Sequence, residues 1–239
     1  MVYQGSKARI AKYIVPIIQK AINNSHADTF IDAFVGGANL IQHIKCENRI
    51  GYDLNPYLIA TLNNLDKIPS IEVPISKELY DTCRAEWRSA QLTHPDWYIG
   101  AVGYIASFGG RFYDGGYCKD EYPSAPGRHE HSGRKNNILK QAPSLEGCQF
   151  EVKDFFSLEP KGAVIYCDPP YNGTKPYPYD HYTKDMFWDK VRELSKDNIV
   201  FVSELDAPED FECLWSKPIR NTLGADNTRM QTEKLFTMK

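Results

Sequence analysis

No apolar run in the 239-residue chain approaches the ~20 residues needed to span a bilayer. Lys7, Arg9 and Lys12 lie near the first residue, but the apolar stretch of a secretory signal does not follow them. We therefore expect a cytoplasmic protein without a membrane partner.

The six cysteines include no CxxC pair, and the closest two, Cys148 and Cys167, are 19 positions apart. This spacing lacks the pattern of a zinc site and predicts reduced thiols and no metal. The net charge of −3 excludes a generally basic nucleic-acid coat, so any nucleic-acid binding requires a local basic face.

The pyrophosphate fingerprint G-x-G-x-x-G is also missing, which argues against NAD or FAD. In its place, Phe34 and Val35 lead into Gly36-Gly37 between a predicted strand and a predicted helix. Glycines let a ligand approach the backbone, although a tight turn explains the pair equally well. Asp53, 17 residues after Gly36, is placed to bind ribose hydroxyls, so a nucleoside without phosphates fits best.

Short apolar strands alternate with helical segments, which predicts an α/β fold with a mostly parallel sheet. In the first half of the chain, the pattern predicts helices at 6–23 and 39–45 and a third helix that begins at Pro56 and is capped by Asn55. It predicts strands at 29–34 and 48–52. The middle predicts two helices within 76–107, an irregular segment at 108–133 and a short helix at 136–142. The last part predicts strands at 149–152, 163–167 and 198–203, a helix at 186–196 and a hairpin of 217–223 with 233–238.

Asp168-Pro169-Pro170-Tyr171 follows an apolar strand, and two prolines must end that strand. A carboxylate, a fixed carbonyl and an aromatic ring then converge at the edge where parallel sheets bind ligands. The set suits a planar ring with an exocyclic amino group: Asp168 and the Pro169 carbonyl accept its hydrogens and Tyr171 stacks on the ring. From the residues alone, an ordinary proline turn is the alternative.

The segment Tyr3-Gln4-Gly5-Ser6-Lys7 could by itself be only a helix cap. Together with the motifs above, however, it makes the chain resemble a known family. The order of motifs resembles that of Dam-type DNA adenine-N(6) methyltransferases, which carry a Gly-Ser-Lys segment, Phe-x-Gly, a target-recognition region and Asp-Pro-Pro-Tyr. Residues 203–211 and 228–236 are similar to the phage and prophage branch. The resemblance implies a Rossmann-like class I methyltransferase fold and S-adenosyl-L-methionine as cofactor.

The resemblance also implies residue roles. Asp168, Pro169, Pro170 and Tyr171 would be catalytic. Cofactor contacts would come from Tyr3, Gly5, Lys7, Phe34, Gly36, Gly37, Asp53, Asp154, Phe155 and Asp168. Ala38 stands where many relatives have glycine, which makes the turn less typical.

For DNA, the resemblance implies base flipping of the target adenine. Residues 1–75 and 146–239 would form the methyltransferase core, and 76–145 a target-recognition insertion. Candidate DNA contacts are Arg111, Tyr113, Tyr117, Arg128 and Arg134, and Asn221, Thr228 and Arg229 near the predicted C-terminal hairpin are further candidates. We expect a monomer acting on double-stranded DNA, with a separately encoded restriction endonuclease left open as a partner.

Three alternatives remain at this stage. The acceptor could be RNA adenine or a protein amide. The chain could be an inactive DNA-binding module, although Asp168–Tyr171 is intact. An NAD-dependent reductase is the remotest, since the fingerprint is missing.

Overall fold

The computed structural model describes residues 1–89, 91–122, 125–170, 183–220 and 230–239, without the side chain of Arg220. Its helices are α1 (Ala11–Ser25), α2 (Pro56–Leu62), α3 (Lys77–Ser89), α4 (Asp96–Ala106), α5 (Glu130–Gln141) and α6 (Lys184–Leu194). Its strands are β1 (Thr29–Asp32), β2 (Asn48–Asp53), β3 (Cys148–Val152), β4 (Val164–Cys167), β5 (Ile199–Glu204), β6 (Phe211–Arg220) and β7 (Met230–Met238).

The seven strands form one sheet in the order β3-β2-β1-β4-β5-β7-β6. The first five are parallel, and β7 runs antiparallel to both β5 and β6. The predicted fold class, an α/β fold whose mostly parallel sheet is closed by a C-terminal antiparallel hairpin, is therefore confirmed.

Helices cover both faces of this sheet, and the alternation of side chains along the strands explains why. Phe30 and Val164 point into the core shared with α1 to α5, whereas their neighbours Ile31 and Ile165 point into the core beneath α6. In α1, isoleucines spaced four apart at Ile14, Ile18 and Ile22 form the buried stripe. No helix within the described ranges is long and apolar enough to cross a membrane.

Local signals fix several boundaries. Asn55 caps α2, because its Oδ1 accepts hydrogen bonds from the backbone N–H groups of Tyr57 (3.0 Å) and Leu58 (3.3 Å). Pro56 occupies the first turn of that helix, where its missing N–H costs nothing. The break between α3 and α4 falls at His94-Pro95, as the sequence predicts.

Three predicted segments differ from the structure. Residues 39–45 form only a short 3-10 turn at Ile41–His43, which follows the left-handed Ala38. Helix α5 begins at Glu130 rather than 136, since its polar first turns hide the helical period. Strand β6 begins at Phe211 rather than 217, and 221–223 lie outside the described residues.

The order of strands reverses between β1 and β4, which are adjacent but lead to opposite sides of the sheet. Open α/β sheets bind ligands at the carboxyl ends of the strands at such a switch point. Phe34 and the glycine turn follow β1 there, and Asp168 follows β4.

Candidate active site

Asp168 forms an ion pair with Lys7 at the end of β4. Lys7 Nζ lies 2.8 Å from Asp168 Oδ1, and the two side chains are only 9% and 17% exposed. Burial raises the pKa of Asp168 to about 6, although the nearby Lys7 ammonium opposes the rise. Asp168 is therefore a carboxylate at neutral pH that acid readily protonates.

Two further carboxylates lie near this pair. Glu233 of β7 approaches Lys7 Nζ with Oε2 at 3.7 Å. Glu204, buried at the end of β5, accepts a hydrogen bond from the Leu205 N–H (2.7 Å). Both carboxylates add to the rise in the pKa of Asp168, since like charges disfavour its ionisation.

The turn after β1 is shaped by close contact with the N-terminal segment. Gly36 has a positive φ of 46°, and a Cβ at this position would lie 2.8 Å from Tyr3 Cε1. At Gly37 a Cβ would lie 2.7 Å from both Tyr3 Cβ and Asn39 Nδ2. Any side chain larger than hydrogen would therefore displace Tyr3 from the turn.

Asp53 connects this turn to helix α2. Its Oδ2 accepts from the Gly36 N–H (3.2 Å) and its Oδ1 accepts from the Asn55 N–H (2.9 Å). A carboxylate oxygen can accept more than one hydrogen bond, and ligand hydroxyls are suitable donors to such a group. The turn, Asp53 and the N-terminus of α2 thus form one hydrogen-bonded unit.

Part of the chain also matches the sequence model of a known protein family. Residues 3–99 match the model of a family described as D12 class N6 adenine-specific DNA methyltransferase. The match confirms the predicted resemblance to DNA adenine methyltransferases.

Two individual proteins are also similar. Type II methyltransferase M.FokI from Planomicrobium okeanokoites is 25% identical over 214 residues, which are 80% of this chain and 32% of that protein. The chain therefore spans about a third of the length of this relative. A solved structure of a candidate RNA methyltransferase from Pyrococcus horikoshii aligns over 96% of this chain and 83% of that one, at 8% identity and a TM-score of 0.46.

An aromatic cluster borders the glycine turn on the other side. The Phe34 ring lies 5.0 Å from the ring of Phe155, which lies 5.3 Å from that of Phe187. Phe155 is buried in this cluster. Asp154 uses Oδ1 to accept from the Phe156 N–H (3.0 Å), capping the short turn that holds Phe155 in place.

Tyr113 and Arg134, both predicted to contact DNA, are core residues. Tyr113 is fully buried and donates its hydroxyl to the Ile99 carbonyl (2.7 Å). Arg134 is buried and donates to the backbone carbonyls of Ile105 (3.3 Å) and Ser107. Neither side chain presents a surface to DNA, because each satisfies buried polar groups beneath the 107–117 loop, and those two predictions are wrong.

The other predicted contacts divide differently. Arg111 and Arg128 are exposed, and Arg128 pairs with Glu130 (2.7 Å). Tyr117 is half-buried and donates to the Ile75 carbonyl (2.7 Å), which fixes the base of the loop. Tyr171, Asn221, Thr228 and Arg229 lie outside the described residues.

Gly5 and Ser6 turn the N-terminal segment toward Asp168. Gly5 has φ of 78°, and Ser6 caps the turn carrying Lys7 through a bond from the Ala8 N–H (3.3 Å). The segment is anchored on the 107–117 loop, where the Gln4 N–H donates to the Gly110 carbonyl (3.3 Å). The capping role and the placement of Lys7 in the site therefore coexist.

Sequence reasoning missed Asp32, the last residue of β1. It is buried, and its Oδ1 has no hydrogen-bond partner among the described residues. Burial, and after it the nearby Asp168 carboxylate, raise the pKa of Asp32 well above its usual range. The sequence did contain a signal for this residue, because an acidic side chain ends a mostly apolar strand four residues before Gly36.

Proposed function

We propose that this protein is an adenine-N6 DNA methyltransferase that uses S-adenosyl-L-methionine. The observation that carries the proposal is the largely buried Asp168, paired with Lys7 at the switch point of a methyltransferase fold. The glycine turn and Asp53 lie at the carboxyl end of the neighbouring strands, where a nucleoside ligand fits.

The residues of this edge suit the cofactor in shape and in charge. The Gly36-Gly37 turn lets the Tyr3 side chain pack against the backbone at this edge, and the Asp53 carboxylate is of the type that binds ribose hydroxyls. Carboxylates outnumber ammonium groups around Asp168, which favours a ligand carrying positive charge. S-Adenosyl-L-methionine supplies an activated methyl group on a sulfonium centre. Tyr3, Gly5, Phe34 and Phe155 would line the remainder of its site.

Asp168 and the Pro169 carbonyl would accept the two hydrogens of the adenine amino group. These bonds draw electron density onto the nitrogen, whose lone pair is otherwise delocalised into the ring, and thereby raise its nucleophilicity. Positive charge then develops on the nitrogen beside the Asp168 carboxylate, which stabilises it. Pro170 restricts the backbone, and Tyr171 would stack on the base.

The acceptor we propose is duplex DNA. The loop at 107–117 and residues up to Arg128 carry the exposed cations Arg111 and Arg128, which can contact phosphates. Flipping the target base from the duplex costs a few kcal/mol, which stacking in the site would offset in part. We assign residues 76–145 to target recognition and the flanking segments to the methyltransferase core, acting as a monomer.

The test is transfer of a labelled methyl group from S-adenosyl-L-methionine to unmethylated DNA, RNA and protein. We expect label in DNA as N6-methyladenine, and its loss by at least a hundredfold in Asp168→Ala. The matched control is Asp197→Ala, which removes a half-exposed carboxylate at the opposite edge of the sheet, before β5. Label confined to RNA or protein, or equal activity in both variants, would refute the proposal.

A further inference from the structure

Lys7 lies between two carboxylates from distant parts of the chain. Its Nζ is 2.8 Å from Asp168 Oδ1 and 3.7 Å from Glu233 Oε2. Glu233 is only 15% exposed, so the second contact is largely shielded from water. Charge pairs in such surroundings interact more strongly than those on an open surface.

The contact with Lys7 competes with the proposed work of Asp168. A carboxylate oxygen bonded to an ammonium group is a weaker acceptor for a neutral amine. An ammonium group, by contrast, has three N–H donors and can bond to two carboxylates at once. Glu233 is the group placed to share the Lys7 ammonium, since β7 brings it to the side of Lys7.

Resting on the proposed function, we propose that Glu233 is a positioning residue that shares Lys7 with Asp168. By holding part of the ammonium charge, Glu233 leaves Asp168 able to accept hydrogen bonds from the target amine. When the amine binds, Lys7 keeps its contact with the Glu233 carboxylate in this largely buried site.

Several other charged groups lie in the same region and must enter any account of its titration. Asp32 ends β1 and Glu204 ends β5, and both interact electrostatically with Asp168. Lys184, at the start of α6, acts on Glu204, and Lys217 of β6 is the cross-strand neighbour of Glu233. Besides Glu233, the titratable groups that can affect the Asp168 titration are therefore Lys7, Asp32, Lys184, Glu204 and Lys217.

The first measurement follows Asp168 directly by carbon NMR of protein labelled at the aspartate side-chain carboxyls, assigned with Asp168→Asn. In Glu233→Gln, Lys7 no longer shares its charge with a carboxylate at position 233, and one negative charge near Asp168 is lost. Both effects lower the midpoint of the Asp168 titration, by about one pH unit. Glu212→Gln, an exposed change on β6, is the matched control and leaves the midpoint unmoved. An unchanged or higher midpoint in Glu233→Gln overturns the proposal.

The second measurement is the single-turnover rate of methyl transfer to unmethylated plasmid DNA near pH 8. We expect Glu233→Gln to slow it about tenfold with unchanged affinity for S-adenosyl-L-methionine, and Glu233→Asp to recover part of the loss. A wild-type rate in Glu233→Gln contradicts the positioning role. If the wild type itself transfers no methyl group, the proposed function fails, while the NMR titration still decides whether Glu233 shares Lys7.

Discussion

Asp168 is expected to destabilise the fold at neutral pH. Its pKa is raised from 3.8 to about 6, mainly because burial disfavours the charged form. The folded protein thus binds this proton more tightly than the unfolded chain does. It follows that the free energy of unfolding falls as the pH rises from about 4 to about 6.

The size of the effect follows from the shift. A difference of about two pH units corresponds to about 3 kcal/mol at pH 7, and to about 1 kcal/mol at pH 4.5. Asp168→Asn replaces the carboxylate with a neutral group of similar shape and leaves Lys7 next to Glu233. We therefore expect the variant to be more stable than the wild type at pH 7, while losing methyl transfer.

Urea denaturation followed by tryptophan fluorescence measures this difference. The two proteins should differ by about 3 kcal/mol near pH 7, and the gap should narrow by about 2 kcal/mol near pH 4.5. A variant that is less stable at pH 7, or a gap independent of pH, would refute the reasoning. The first result would mean that the bond to Lys7 outweighs the burial of Asp168.

Three further predictions test other parts of the structure. Gly37→Ala should weaken binding of S-adenosyl-L-methionine about tenfold or more by calorimetry, because its Cβ would displace Tyr3; unchanged affinity would contradict the role of the turn. Asn55→Ala should lower the free energy of unfolding by about 1 kcal/mol through loss of the α2 cap, and a neutral effect in urea denaturation would count against it. Tyr113→Ala should lower the free energy of unfolding by about 3–5 kcal/mol, because its side chain is fully buried. Arg111→Ala should leave stability unchanged and reduce the salt dependence of DNA binding by about one phosphate contact. The reverse pattern would restore Tyr113 as a DNA contact.

Local chemistry determined much of this protein from the sequence. The prolines after Asp168 end β4 whatever surrounds them, and Asn55 with Pro56 begins α2 by capping alone. Alternating strands and helices were enough to predict a parallel sheet, and with it the edge that would carry Asp168 and the glycine turn. Each of these signals depends on a few neighbouring residues.

Only the tertiary structure decided which polar and aromatic side chains are buried and which charges meet. Tyr113 and Arg134 have the residue types of DNA contacts, yet packing beneath the 107–117 loop buries both. Glu233 reaches Lys7 only because β7 inserts beside β5, which joins residues from the two ends of the chain. Burial and charge pairing act through space, so neither can be deduced from residues that are distant in the sequence until the sheet brings them together.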